Sequence, residues 1–259
     1  MRDGWAWTKI KFLIRNPELA EHVGADFKFH ERIIAGALRQ CGLPELARGY
    51  QMNKGKNGRR HIVITGTGRA GTTFLVQLLT RLGLDTGYTR ESMLEVSPTA
   101  NAGLEHDMHN KNCPYIVKSP AFCDCANEIL AQPNIKIDHI IIPMRDLREA
   151  ATSRRAAQMR GLRALSFSQR CIVKLLHRWS MPGGLWGCSS YQPGDQEQVL
   201  TNKLYGLLLA ASKHNIPITF LHWPRMRQSP HYLWQKLEPM LPNIHGEIFR
   251  QAWEEVVMP

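Results

Sequence analysis

The chain has 259 residues, 43% of them hydrophobic, and carries 33 Lys and Arg against 22 Asp and Glu, a formal charge of +11. That length suits one α/β domain with a sizeable core, and the excess of cations points to an anionic partner: a nucleotide, a nucleic acid, an acidic membrane surface or an acidic substrate. The six cysteines are scattered, and Cys123 and Cys125 have no second pair at zinc-finger spacing. This excludes a disulfide scaffold and points to free thiols in a cytoplasmic protein.

The first segment, "MRDGWAWTKIKFLIRN", lacks the uninterrupted apolar core and small-residue cleavage site of a signal peptide, and no stretch approaches the roughly 18 apolar residues of a membrane span. Apolar positions recur at helical spacing through Leu19, Val23, Phe27, Ile33, Ile34, Ala37 and Leu38 until "CGLPE" breaks the run. Residues 1–58 are therefore expected to form an N-terminal helical extension. Its Trp5, Trp7 and Phe12 interleaved with Lys9 and Lys11 suit either packing on the domain or peripheral contact with a membrane surface.

Residues 59–259 read as an α/β domain. Short apolar runs at 61–65, 115–118, 139–144 and 217–221 fit strands buried on both faces, and helical patterns lie at 72–82, 122–131, 146–160, 167–180 and 196–214. The alternation predicts a three-layer α/β/α fold with a central parallel sheet, similar to P-loop nucleotide-binding domains. Ligands in such folds sit at the carboxyl ends of the strands. The Gly/Ser/Pro-rich 181–196 reads as a surface loop, whether a lining of the acceptor site or a plain connection.

The first strand runs into "TGTGRAGTT". Gly66 and Gly71 have the separation of the P-loop pattern G-x-x-x-x-G-K-[ST] and Thr73 takes the Ser/Thr place, but Thr72 stands where the lysine belongs. Gly66, Gly68 and Gly71 allow sharp turns. The helix beginning near Gly71 would aim free N–H groups at an anion, the Thr72 and Thr73 hydroxyls would add donors, and Arg69 would supply charge. Triphosphate enzymes use that lysine to reach the β- and γ-phosphates, so its loss argues for fewer phosphates at this position.

A second element, "IIPMRDLREAATSRRAAQ", places Arg145 at a strand end and Ser153 eight residues on. Together they could hold another phosphate at a distance from the loop, with Arg154 and Arg155 either adding positive potential or forming a solvated helix face.

With both motifs in hand, the chain resembles the sulfotransferases that use 3′-phosphoadenosine-5′-phosphosulfate (PAPS). "RAGTT" (69–73) matches their 5′-phosphosulfate loop, with Ala70 where serine is usual, and Arg145 with Ser153 matches their 3′-phosphate motif. The resemblance spans about 65 to 225 and is closer to carbohydrate-type members than to the cytosolic phenol and steroid enzymes. It implies transfer of a sulfuryl group to a hydroxyl or amine of a small-molecule or carbohydrate acceptor, leaving adenosine 3′,5′-bisphosphate, with no metal and no nucleic-acid partner.

The resemblance also implies roles. Gly68, Arg69, Ala70, Gly71, Thr72, Thr73, Arg145 and Ser153 would bind the co-substrate. Trp223, at the place of the family's tyrosine, would stack on adenine or serve the core. Arg69 would stabilise the departing bridging oxygen, where one preorganised donor is worth about 3–4 kcal/mol. Lys118 would assist, unless it is only a strand-end surface lysine.

The general base would be Glu91, twenty residues after Gly71, with Glu95, His106 and His109 as alternatives. The chain departs from the family at Pro120, where K-x-H would put histidine, and in lacking the R-K-G loop, for which Arg225 or Arg227 could substitute. Two other readings stay open. One is a P-loop phosphotransferase with Asp146 on magnesium, and the other a non-catalytic basic nucleotide- or nucleic-acid-binding module.

Overall fold

A computed structural model describes residues 58–90, 103–110, 112–164, 184–185, 193–241 and 243–257. All of them belong to the unit Gly49–Pro259. The expected N-terminal extension, apart from Gly58, lies outside the described residues, as do the expected helix at 167–180 and most of the loop at 181–196.

Four strands form an all-parallel sheet: β1 (Arg59–Ile64), β2 (Ile116–Lys118), β3 (Ile135–Met144) and β4 (Ile218–His222), in the order β2-β1-β3-β4. The apolar runs produce it because neither face of β1 is left in water. Ile62 and Ile64 enter one core and Val63 the other.

The first core is closed by α1 (Thr72–Arg81), α5 (Pro230–Leu237) and α6 (Gly246–Val257), through Leu75, Leu78, Leu233, Phe249 and Trp253. The second is closed by α2 (Phe122–Leu130) and α4 (Pro193–Lys213), through Phe122, Ile129, Leu207 and Ala210. Each leucine, isoleucine or phenylalanine among them contributes about 1.5–3 kcal/mol on burial, so the two covered faces are what hold the sheet between its helices. The remaining helix, α3 (Leu147–Ala164), packs on α4 through Ala150, Ala151 and Leu200. The three-layer α/β arrangement is therefore as expected.

The strand order positions the site. After β2 the chain crosses back over β1 to build β3 and β4 on its other side, so the direction of winding reverses between β1 and β3. In open α/β sheets the crevice at that reversal, outside the carboxyl ends of the strands, is where ligands bind. The residues leaving β1, β2, β3 and β4 there are the 65–71 loop, Lys118, Arg145 and Trp223. Among the described residues no helix is long and apolar enough to cross a membrane.

Candidate functional site

The loop from Thr65 to Gly71 turns through left-handed backbone at Gly66 (φ 126°), Gly68 (66°), Arg69 (57°) and Gly71 (84°). Arg69 is the one non-glycine residue among these, and such a conformation in a long side chain is costly unless its surroundings hold it. Two contacts do so. Arg145 Nη1 donates to the Arg69 carbonyl at 3.1 Å, and Arg69 Nε donates to Ser153 Oγ at 3.2 Å. The loop delivers the chain into α1 at Gly71, which has no side-chain cap, and the first turn of that helix carries no acidic residue. An uncapped helix start leaves free N–H groups and a positive dipole end, which are able to receive an anion.

The sequence-predicted residues Arg69, Arg145 and Ser153 therefore meet, more closely than their spacing suggested: Arg145 and Ser153 are bonded to the loop's own arginine rather than set apart from it. Arg69 is half-buried. Burial, followed by the positive charges of Arg160 and Arg145, lowers its proton affinity. A cluster of cations that weaken one another is stabilised by any anion placed among them. Arg145 also pairs with Glu149 at 3.0 Å, an exposed i,i+4 contact that an incoming anion would compete with.

Beneath the loop lies Arg154, which is not a solvated face. It is only 6% exposed. Its Nε donates to the Thr67 carbonyl at 2.9 Å, Nη2 donates to the same oxygen, and Nη1 donates to the Gly184 carbonyl at 2.7 Å. Burial and the neighbouring Arg69 pull it down to about 10. A Cβ at Gly68 would fall 2.5 Å from Arg154 Nη2, so glycine is required there for the clamp to close.

On the β2 side, Lys118 is not a surface lysine: its side chain is 2% exposed. Nζ donates to Thr73 Oγ1 at 2.8 Å, to Glu105 Oε1 at 2.9 Å and to the Gly103 carbonyl. Burial lowers its proton affinity while Glu105 raises it. His106 lies tilted against Tyr88 with ring centroids 4.8 Å apart, and its buried Nδ1 has no hydrogen-bond partner. His109 is exposed and engaged at both nitrogens, by Asp107 at 2.8 Å and Glu128 at 3.2 Å. Glu91 and Glu95 lie outside the described residues.

On the β4 side, the half-buried Trp223 lies against Gly71: a Cβ there would fall 2.4 Å from Trp223 Cζ3 and 2.4 Å from Met226 Cε. Arg227 stands over both Phe74 and Trp223, 5.8 and 5.9 Å from the ring centroids. Asp146 Oδ1 accepts the Glu149 N–H at 2.9 Å, the geometry of a helix cap at the start of α3. Among the described residues no three His, Cys, Asp or Glu side chains could hold a metal together. Ala70 is fully buried and Thr72 nearly so.

Sequence reasoning missed Glu105 and the clamping role of Arg154. Glu105 stands one residue before the histidine singled out in "LEHDMHN", and only its contact with Lys118, thirteen residues on, marks it. No family model matches the chain, and no curated protein or solved structure does either.

Proposed function

We propose that the chain is a PAPS-dependent sulfotransferase of P-loop-like fold, moving a sulfuryl group to a hydroxyl or amine and releasing adenosine 3′,5′-bisphosphate. The observation that carries this reading is the meeting of Arg69, Arg145 and Ser153 over an uncapped helix start at the reversal point of the sheet. A loop with its cation at Arg69 suits a phosphosulfate, and the neighbouring Arg145 and Ser153 suit a further phosphate on the same nucleotide.

Metal independence goes with this assignment. P-loop enzymes hold magnesium on the Ser/Thr hydroxyl at the start of the helix. Here that hydroxyl belongs to Thr73 and accepts from the Lys118 ammonium. Asp146 Oδ1 caps the start of α3, the ordinary role of a helix-start carboxylate. The free thiols of Cys113, Cys123 and Cys125 suit a cytoplasmic setting.

Calorimetric titration tests the proposal. Adenosine 3′,5′-bisphosphate should bind in the presence of a chelator while ATP does not, and ATP binding that requires magnesium would sink it. Binding of random duplex DNA with a steep salt dependence and no nucleotide preference would favour the basic module instead.

A further inference from the structure

The Glu105 carboxylate is held at one oxygen and open at the other. Oε1 accepts from Lys118 Nζ at 2.9 Å and from the Gly103 N–H at 3.2 Å. Among the described residues nothing bonds Oε2, and the side chain is 42% exposed. The lysine fixing Oε1 is the one that donates to Thr73 at the start of α1, so this half-anchored carboxylate stands two hydrogen bonds from the anion site. Its backbone is also tied down: Tyr88 Oη donates to the Glu105 carbonyl at 3.2 Å and the next residue's N–H donates to the Lys118 carbonyl at 2.8 Å. A positioned carboxylate with a free oxygen at the mouth of a site is what proton abstraction from an incoming group needs.

The described alternatives are less suited. The open nitrogen of His106 is buried, and both nitrogens of His109 are occupied. The two flanks of the loop also differ in character. The β3 flank presents Arg69, Arg145 and Ser153, whereas the β2 flank presents Glu105 and Lys118. An anionic nucleotide is repelled by the carboxylate and drawn to the arginines, which leaves the β2 flank to the neutral acceptor.

We propose that Glu105 is the general base and that the acceptor enters over the β2 flank. This rests on the sulfotransferase reading. Glu105 Oε2 takes the proton of the acceptor hydroxyl as the acceptor oxygen bonds to sulfur. The bond from sulfur to the bridging phosphate oxygen breaks, and its electron pair leaves on that oxygen. Lys118, hydrogen-bonded to Oε1, keeps the carboxylate oriented between turnovers.

The test uses the full chain with PAPS, water serving as the acceptor, and calorimetry with adenosine 3′,5′-bisphosphate. E105Q should bind the bisphosphate within about twofold of the parent, which also verifies its fold, while cleavage of bound PAPS falls about 100-fold. Added formate should restore part of the rate to E105A. An E105Q chain that cleaves PAPS at the parent rate overturns the role of Glu105 alone. So does a parent chain that binds PAPS without cleaving it, because water reaches an oxygen this exposed. A parent chain that does not bind the bisphosphate overturns the reading of the site and this proposal together.

Discussion

Lys118 Nζ donates to the Thr73 hydroxyl at 2.8 Å, joining the end of β2 to the start of α1 through a buried cation. In a triphosphate enzyme the corresponding hydroxyl would face a magnesium ion. Replacing Lys118 by methionine keeps the bulk and removes the charge. Glu105 is exposed enough to be solvated once alone, but the Thr73 hydroxyl and the Gly103 carbonyl lose a charged donor. K118M is therefore expected to lose about 1.5–3 kcal/mol of stability in urea while still folding. Its turnover of PAPS should fall by about 100-fold or more, in line with loss of one transition-state donor, and magnesium should not restore it. Recovery of activity on adding magnesium would show that the site belongs to a metal enzyme.

Arg145 and Ser153 differ from the loop residues in what they should recognise. Both are bonded to Arg69 on the β3 flank, whereas the helix start at Gly71 would receive the 5′ group. The double variant R145A/S153A should weaken adenosine 3′,5′-bisphosphate by about 30-fold or more, from loss of charge-assisted bonds of about 1.5–3 kcal/mol, and weaken 5′-AMP much less. Isothermal titration of both nucleotides gives the ratio. Equal losses would mean that the pair only supports the loop.

Much of this fold is legible as apolar runs, because buried parallel strands have no polar face to disguise them. The exception is instructive. β3 begins at Ile135, four residues before the apolar run at 139–144, because Lys136 and Asp138 interrupt its first half. The ladder to β1 skips Asp138, pairing His61 with Ile137 and Ile62 with His139, and its carboxylate takes the Arg60 guanidinium instead. The last two helices lie beyond the expected helical patterns although local signals for them exist. Ser229 Oγ accepts from the Tyr232 N–H with Pro230 at the first helical position, and Phe249, Ala252 and Trp253 are buried at helical spacing.

In the site, Arg69, Arg145 and Ser153 stand out in the sequence because each belongs to a motif of short spacing, although their direct contacts do not. Arg154 was not, because its partner Thr67 is 87 residues away and a run of arginines on a helix looks the same whether solvated or buried.

His61 and His106 predict how stability follows pH. His61 is fully buried, its Nδ1 donates to the Pro114 carbonyl at 2.7 Å, and its Nε2 is buried without a partner. Burial is the main cause that lowers both histidines from 6.5. Below 6.5 the unfolded chain therefore binds protons that the folded chain refuses, and stability falls with falling pH until the folded values are passed. Each group can contribute at most about 1.4 kcal/mol per pH unit. The exposed His109 shifts the other way and its effect is screened by solvent. Urea midpoints should drop between pH 7.5 and 5.5, and H61Q, which keeps a donor for Pro114, should flatten that drop. A midpoint that rises on acidification would contradict the assignment.

Arg154 separates support of the loop from contact with a ligand. Its guanidinium holds two backbone carbonyls, Thr67 in the loop and Gly184 beyond α3, and both would be left without this donor if it were removed. Hydrogen bonds from a charged donor contribute about 1.5–3 kcal/mol, so R154A should cost stability of about that size. R154K should recover little. The clamp uses Nε and Nη2 on one oxygen and Nη1 on another, and an ammonium on a longer stem cannot span both. Because the clamp fixes the turn at Gly68 and Arg69, adenosine 3′,5′-bisphosphate and 5′-AMP should weaken together in R154A, unlike their behaviour in R145A/S153A. Thermal melts with and without each nucleotide separate the two effects. Loss of the 3′-phosphorylated nucleotide alone, with the melting temperature unchanged, would make Arg154 a direct ligand contact and would require the loop to be held by other means.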